Sequence, residues 1–157
     1  MLVLLFLPLI YCFTIDFAAN SNAFITFNNE KVPIIDCGSP ESTFKLQSVD
    51  MTPFPPQKGQ KFTVDMKGEL RKTFSRAASV TVLVKKGRFV VKKIRKQVCD
   101  LLESSPTLPK CPLKPGVYTI KESGDFPRAV PRGKYTIDIF GADGDTEMFC
   151  FQMALKL

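Results

Sequence analysis

Histidine and tryptophan are both absent from the 157-residue chain. Without histidine the chain can form no Ser-His-Asp or Cys-His catalytic unit and no zinc site with a histidine ligand. The sequence also lacks a C-x-x-C pair, a glycine-rich phosphate loop, a G-x-S-x-G elbow and an Asn-x-Ser/Thr glycosylation sequon. We therefore predict that the protein is not an enzyme and that it holds no metal and no cofactor.

The composition is that of one folded domain with a basic surface. Hydrophobic residues make up 45% of the chain, and 22 Lys and Arg residues outnumber 15 Asp and Glu residues, which gives a formal charge of +7. A chain of this length can bury an ordinary core, and its charge favours an anionic partner or surface.

The chain begins with the uncharged run MLVLLFLPLIYCF. This run has the length of a signal-peptide hydrophobic region and is short for a bilayer span. We predict a signal peptide over residues 1–19, with cleavage as late as residue 23, an N-terminal arm or pro-segment over 20–33, and a folded domain over 34–157. No Lys or Arg precedes the run, so a buried strand or a membrane anchor stays an alternative.

Five cysteines are present, and cleavage of the signal would remove Cys12. The remaining four, Cys37, Cys99, Cys111 and Cys150, predict two disulfides in an oxidising compartment. Three pairings are possible, of which the nested one, 37–150 with 99–111, is the simplest. We expect the protein to be secreted or to lie in a vacuolar or lysosomal lumen.

Apolar and polar residues alternate in short segments separated by glycine and proline. Period two predicts seven strands, near residues 44–48, 62–66, 80–84, 89–91, 117–121, 134–140 and 148–157. One short helix is predicted over residues 98–103. The pattern is typical of an all-β sandwich of antiparallel sheets.

Five short motifs occur in order along the chain: D-C-G-S at 36–39, K-G-Q at 58–60, C-P-L-K-P-G at 111–116, V-P-R-G-K-Y-T-I at 130–137 and F-C-F at 149–151. Together they resemble the ML lipid-recognition domain family, which includes Niemann–Pick C type-two sterol-transfer proteins and fungal phosphatidylglycerol/phosphatidylinositol transfer proteins. The resemblance implies an immunoglobulin-like β-sandwich with an apolar cavity between its two sheets, and the nested disulfide pairing. The loop before Lys58 lacks the cysteines of the sterol-transfer members, which leans away from that branch.

The resemblance implies that the protein binds a single lipid, either a phospholipid such as phosphatidylglycerol or phosphatidylinositol or a sterol, and transfers it between membranes. We expect a monomer with a lipid ligand. The alternative function is a secreted immunoglobulin-like recognition or adhesion module with a filled core.

The candidate lipid-binding residues are the apolar side chains in phase along the strands, together with one loop at the mouth of the cavity. The same side chains would equally fill a solid core. The strand candidates are Phe62, Val64, Met66, Val80, Val82, Val84, Phe89, Val91, Tyr135, Ile137, Ile139, Phe149, Phe151 and Met153.

The predicted mouth is the loop over residues 124–131. Val130 and Pro131 match best the aromatic-Pro pair that sits at the entrance in the sterol-transfer members, with Phe126 and Pro127 as the second choice. The alternative is an ordinary loop whose Phe126 is tucked under.

Seven basic residues cluster around one predicted hairpin: Lys85, Lys86, Arg88, Lys92, Lys93, Arg95 and Lys96. They predict a docking surface for a transient contact with an anionic membrane. The alternative is a solvated sheet edge that prevents aggregation. Nucleic acid is not expected as a partner, because aromatic residues are not interleaved on the basic face.

Overall fold

The structure, a computed structural model, describes residues 24–27 and 30–157. Nine strands and one short helix form a two-layer sandwich. Their bounds are β1 Phe24–Phe27, β2 Glu30–Asp36, β3 Phe44–Thr52, β4 Lys61–Leu70, β5 Ser79–Lys86, β6 Phe89–Gln97, α1 Val98–Glu103, β7 Gly116–Asp125, β8 Lys134–Asp143 and β9 Thr146–Lys156.

Every strand pair is antiparallel. One sheet has six strands in the order β1-β2-β9-β8-β5-β6, and the other has three in the order β3-β4-β7. The prediction of an all-β sandwich with two antiparallel sheets is thereby confirmed. Within the described residues α1 is the sole helix, and it is too short to cross a membrane.

Seven strands follow the predicted alternation, and the two additional ones, β1 and β2, lie near the N-terminus. These two form a hairpin that extends the six-stranded sheet beyond β9. The predicted signal peptide over 1–19 lies outside the described residues. Parts of the predicted arm, 24–27 and 30–33, are strand, and the arm boundary stays a prediction.

The strand β6 is longer than the alternation predicted, because it continues to Gln97 through a basic segment, residues 92–96. It is the last strand of the six-stranded sheet, and every one of its residues is exposed. Charged side chains suit such an edge, since they discourage pairing with another chain. Gly87, at a φ of 59°, makes the turn that joins β5 to β6.

Both disulfides of the nested pairing are present. Cys37, directly after β2, is bonded to Cys150 in β9, which ties the start of the domain to its last strand. Cys99 in α1 is bonded to Cys111 in the loop before β7. The second bond therefore fixes the helix against the connection that crosses from one sheet to the other.

Two clusters of buried apolar residues occur in the part of the chain that the structure describes. One is centred on Ile34, with Leu46, Val49, Met51, Phe54 and Met153 packed around it. The other is centred on Leu70, Leu102 and Leu113. Among the described residues, Met148 is the one large apolar side chain that is essentially fully buried. The space between the sheets is consequently only partly filled by side chains.

A buried ion pair lies on the outer face of the six-stranded sheet. Asp138, flanked in β8 by Ile137 and Ile139, is 3% exposed and pairs with the ammonium group of Lys85. The amide of Gln152 donates a second hydrogen bond of 2.8 Å to its carboxylate. Burial alone would raise the pKa of Asp138, but the hydrogen bonds from Lys85 and Gln152 and the charge of Lys85 together hold it below its ordinary value.

This pair gives a prediction for the pH dependence of folding. A carboxyl whose pKa is depressed by folding stabilises the protein above its ordinary pKa, and that contribution is lost as the pH falls through the lower folded value. Lys85→Gln should leave Asp138 buried without its charged partner. We expect a loss of roughly 3 kcal/mol at neutral pH, and acid destabilisation that begins at a higher pH than in the wild type.

Urea unfolding across the acidic range measures both effects. The double variant Lys85→Gln, Asp138→Asn is the control, because it removes the titrating group and should flatten the difference between the curves. An unchanged pH profile in Lys85→Gln would contradict the assigned role of the pair.

Candidate functional site

A cavity of about 290 Å³ lies between the two sheets, at the end of the sandwich where α1 packs. Both sheets, the helix and two loops contribute to its wall. All of the lining side chains are apolar or aromatic: Phe44, Met66, Leu70, Phe74, Val80, Val98, Leu102, Leu113, Tyr118, Ile120, Ile139, Met148, Phe149 and Phe151. The wall therefore contains no charged group.

Three phenylalanine rings form one side of the cavity and bridge the sheets. Phe149 and Phe151, both from β9, stack with their centroids 5.3 Å apart. Phe44 of β3 meets Phe149 edge to face at 5.8 Å and Phe151 at 6.5 Å. Stacked and edge-to-face contacts of this kind are arrangements that aromatic rings prefer.

Gly68 in β4 and Gly141 in β8 lie directly beneath two of these rings. A Cβ atom at Gly68 would lie 2.0 Å from Cζ of Phe44, and one at Gly141 would lie 2.3 Å from Cε1 of Phe149. Glycine inside a strand commonly marks such a close approach. The two glycines thus set the position of the aromatic wall and, with it, the shape of the cavity.

Gly68→Ala should push the Phe44 ring into the cavity. We expect a stability loss of about 1–3 kcal/mol from overpacking and a smaller cavity that binds an apolar ligand less tightly. Gly124→Ala is the matched control, since its Cβ would lie 3.2 Å from Phe62, which does not line the cavity. Thermal unfolding and a titration with a fluorescent fatty acid measure the two effects, and equal affinity in both variants would contradict the prediction.

Tyr118 supplies a ring to the cavity without bringing a polar group into it. Its hydroxyl donates a 2.7 Å hydrogen bond to the carbonyl of Lys114, four residues upstream. Tyr135 makes the same kind of bond to the carbonyl of Pro131, also 2.7 Å. Because the hydroxyl of Tyr118 already has a partner, the cavity presents no unsatisfied donor at this position.

The β4–β5 loop closes part of the cavity with Phe74. The next residue, Ser75, is held by Asp143, whose carboxylate accepts bonds from its backbone N–H at 2.7 Å and its hydroxyl at 2.5 Å. These two hydrogen bonds lower the pKa of Asp143 below its ordinary value. On the other side of the loop, Arg76 pairs with Glu103 of α1 at 3.3 Å. The loop is thus tied to both neighbouring elements.

Five of the predicted lipid-binding residues line the cavity: Met66, Val80, Ile139, Phe149 and Phe151. They come from four different strands, and the register brings them together. Val82 lies opposite Ile139, two positions along the strands from the pair Val80 and Gly141 and so on the same face. The strand phase therefore identified the correct face for these side chains, and their contact with a lipid stays a prediction.

The other predicted strand residues lie away from this cavity. Phe62, Val64, Val82, Val84 and Ile137 lie further along the strands toward the other end of the sandwich, and Met153 packs against Ile34. Tyr135 is buried at that end. Phe89 and Val91 do not face inward against a partner sheet: they are 68% and 54% exposed. The reason is that β6 is an edge strand with a register shift opposite Val84 and Lys85.

The predicted mouth loop does not reach this cavity. The ring of Phe126 packs edge to face on that of Phe62, with the centroids 6.2 Å apart. Its carbonyl accepts a hydrogen bond from the backbone N–H of Gly59, and its own N–H donates one to the carbonyl of Gln60, both at 2.9 Å. Val130 is half-buried and Pro131 is exposed. The carbonyl of Pro131 accepts the hydrogen bond from the hydroxyl of Tyr135. Phe126 is therefore tucked against the loop that precedes β4.

The basic residues around the β5–β6 hairpin are in different environments. Lys85 is paired with Asp138, and the ammonium group of Lys86 lies 5.7 Å from the centre of the Tyr135 ring. Arg88 lies 5.7 Å from the Phe89 ring, and Arg95 donates a 3.3 Å hydrogen bond to the hydroxyl of Ser79. The remaining three, Lys92, Lys93 and Lys96, are exposed and belong to no ion pair among the described residues.

Nine lining residues were not among the candidates from sequence. Leu70, Tyr118 and Ile120 continue the alternation of β4 and β7, so strand phase could have found them. Phe44 could have been found in the same way. Met148 lies at a register shift between β8 and β9, which lets both it and Phe149 face the cavity. The other four come from loops and the short helix, where strand alternation does not indicate which side chains face inward: Phe74, Val98, Leu102 and Leu113.

The chain is similar in sequence to known proteins over most of its length. The family model of the ML domain matches residues 31–157. A phosphatidylglycerol/phosphatidylinositol transfer protein of Cryptococcus neoformans is 32% identical over 122 residues, which cover 76% of this chain and 67% of that protein. A putative phosphatidylglycerol/phosphatidylinositol transfer protein 2 of Dictyostelium discoideum is 35% identical over 123 residues, covering 78% and 83%.

Two solved structures share the fold at low sequence identity. A Niemann-Pick type C2 protein from the Japanese carpenter ant superposes with a TM-score of 0.63 at 17% identity, over 78% of this chain and 97% of that one. Chicken MD-1, solved in complex with lipid IVa, superposes with a TM-score of 0.56 at 16% identity, over 80% and 88%.

Proposed function

The chain belongs to the ML domain family, and we propose that it binds one lipid in the cavity between its sheets and transfers it between membranes. The observation that carries the proposal is the wholly apolar wall of that cavity. Its relatives named as phosphatidylglycerol/phosphatidylinositol transfer proteins support a phospholipid as the ligand. An open cavity also argues against the alternative, a recognition module with a filled core.

The mechanism is burial rather than bond making. Moving an acyl chain from water into an apolar cavity contributes about 0.8 kcal/mol per methylene. Because the cavity wall holds no acid, base or nucleophile, a bound lipid would leave chemically unchanged. Release occurs at a bilayer, where the chain finds an equally apolar environment. We propose that the protein works as a monomer in an extracellular or lumenal space, where its two disulfides would persist.

Contact with an anionic membrane is assigned to the outward-facing basic residues of the hairpin. Lys93 and Arg95 lie opposite Leu83 and Thr81, on the outer face of the six-stranded sheet. Val90, opposite Lys85 on the same face, exposes an apolar side chain near them. Basic residues near an anionic bilayer contribute about 1 kcal/mol each, so this surface complements the charge of such a membrane.

Native mass spectrometry of the purified protein, followed by a vesicle assay, tests the proposed function. We expect a co-purifying lipid with intact mass and a transfer rate of labelled phosphatidylglycerol that rises in proportion to protein concentration. After delipidation and reloading, the absence of both a bound lipid and any transfer would refute the proposal. Conversion of the lipid to a product of different mass would indicate an enzyme instead.

Charge reversal tests the docking surface separately. Lys93→Glu with Arg95→Glu should weaken association with anionic vesicles by about 30-fold or more, because two favourable contacts become repulsive. Lys61→Glu with Lys67→Glu, on the three-stranded sheet, makes the same change in net charge as a control. Equal vesicle binding by the two double variants would show that net charge, not this surface, governs docking.

A further inference from the structure

The sandwich has one closed side and one open side. On the closed side, β3 lies within backbone contact of β1 and β9. On the other side, β6 and β7 are the free edges of their sheets, and no comparable contact joins β7 to β5 or β6 among the described strands. Ile94 of β6 lies opposite Val82, on the inner face, and yet it is 38% exposed. The interior is therefore accessible from this edge.

The register shows which basic side chains face this opening. In an antiparallel sheet, directly opposite residues lie on the same face. Lys96 is opposite Val80, which lines the cavity, and Lys92 is opposite Val84. These two lysines are therefore on the inner face, on either side of Ile94, whereas Lys93 and Arg95 are on the outer face. The basic segment divides into two pairs with different surroundings.

The inner pair has no protein partner that would account for it. Within residues 24–27 and 30–157, neither Lys92 nor Lys96 lies in an ion pair. The edge strand of the other sheet is β7. Its residues Ile120 and Glu122 pair with Met66 and Val64 of β4, so both lie on the inner face. The opening thus carries two ammonium groups on one wall and one carboxylate on the other, so an anion is favoured beside β6.

The position of these charges relative to the cavity points to an amphiphile. Lys92 and Lys96 are four residues apart, about 13 Å along an extended strand, and both side chains are long enough to converge over Ile94. Behind them lies a cavity with no polar group in its wall. A molecule that satisfies both regions has apolar chains inside and a phosphate at the edge.

We propose that Lys92 and Lys96 bind the phosphate of the lipid held in the cavity, at the lateral opening between β6 and β7. This inference rests on the proposed function and names its ligand class, a phospholipid with an anionic headgroup. It also divides the work of the basic segment. The inner lysines hold the bound lipid, and the outer Lys93 and Arg95 contact the membrane.

Two double variants with the same loss of charge on the same strand test the division. Lys92→Gln with Lys96→Gln should weaken binding of monomeric fluorescent phosphatidylglycerol by about tenfold or more, since charge-assisted hydrogen bonds are lost. Binding of a diacylglycerol with the same acyl chains should stay within about twofold, which also shows that the variant is folded. Lys93→Gln with Arg95→Gln should leave both affinities unchanged.

Equal losses of phosphatidylglycerol affinity in the two variants, or no loss in the inner one, would overturn the proposal and leave the lysines as protection of a sheet edge. Inorganic phosphate should displace phosphatidylglycerol no better than chloride at equal ionic strength; stronger displacement would identify a free-anion site and overturn the assignment to lipid. If the wild type binds neither phosphatidylglycerol nor diacylglycerol, the proposed function itself fails, which is a distinct result.

Discussion

Replacing Ile120 with Trp should weaken lipid binding by about two orders of magnitude while leaving the protein folded. Ile120 lines the cavity from β7, so the larger indole would occupy space that an acyl chain needs. If a bound acyl chain loses about four methylenes of depth at about 0.8 kcal/mol each, affinity falls roughly 200-fold. Titration with a fluorescent phospholipid and native mass spectrometry measure the loss.

The matched control is Val117→Trp on the same strand. Val117 is 56% exposed and lies opposite Glu69, on the outer face of the three-stranded sheet. The same added volume there should leave affinity unchanged. If Ile120→Trp retained wild-type affinity while folded, the lipid would have to lie elsewhere, for example nearer the Phe62 end of the sandwich.

Removal of the Cys37–Cys150 disulfide should have the largest effect on stability. Its two residues are separated by 113 positions, so the bond closes almost the entire domain. In the chain-entropy description a closure of this length contributes about 4–5 kcal/mol. Cys37→Ala with Cys150→Ala should therefore lower the unfolding temperature by roughly 15 °C.

The Cys99–Cys111 bond should contribute less to stability than the long disulfide but more to the retention of bound lipid. With a separation of 12, its closure contributes about 3 kcal/mol, less than the long one. It holds α1, however, which lines the cavity through Val98 and Leu102. Cys99→Ala with Cys111→Ala should therefore lose bound lipid faster than the other variant despite its higher unfolding temperature. Calorimetry and lipid release into acceptor vesicles decide this, and the reverse order of release would contradict it.

Alternation along the chain predicted the sheets better than it predicted the cavity. It identified strands around Met66, Val80 and Ile139 and the face on which these residues lie, because side chains in a strand alternate strictly between two sides. The short helix at Val98–Glu103 was also predicted, with the bounds that the structure has.

The depth at which the cavity lies could not be predicted in this way. Along one face of a strand, every second residue looks alike in sequence. Which of them meet empty space depends on the separation of the sheets and on Phe74 and Leu113, whose loops have no period. Phe89 shows the same limit: it is in phase with a core residue, but no strand of the other sheet covers it.

The incomplete packing of the core has a consequence for the fate of the protein. Among the described residues, Met148 is the one large apolar side chain that is essentially fully buried. The cluster of Leu70, Leu102 and Leu113 surrounds an unfilled cavity, and a bound lipid would complete this part of the core. At a lipid concentration 100 times the dissociation constant, binding adds about 2.7 kcal/mol to the free energy of unfolding. The empty protein would then be the form that proteases remove first, so the amount of protein that persists would follow the local supply of lipid.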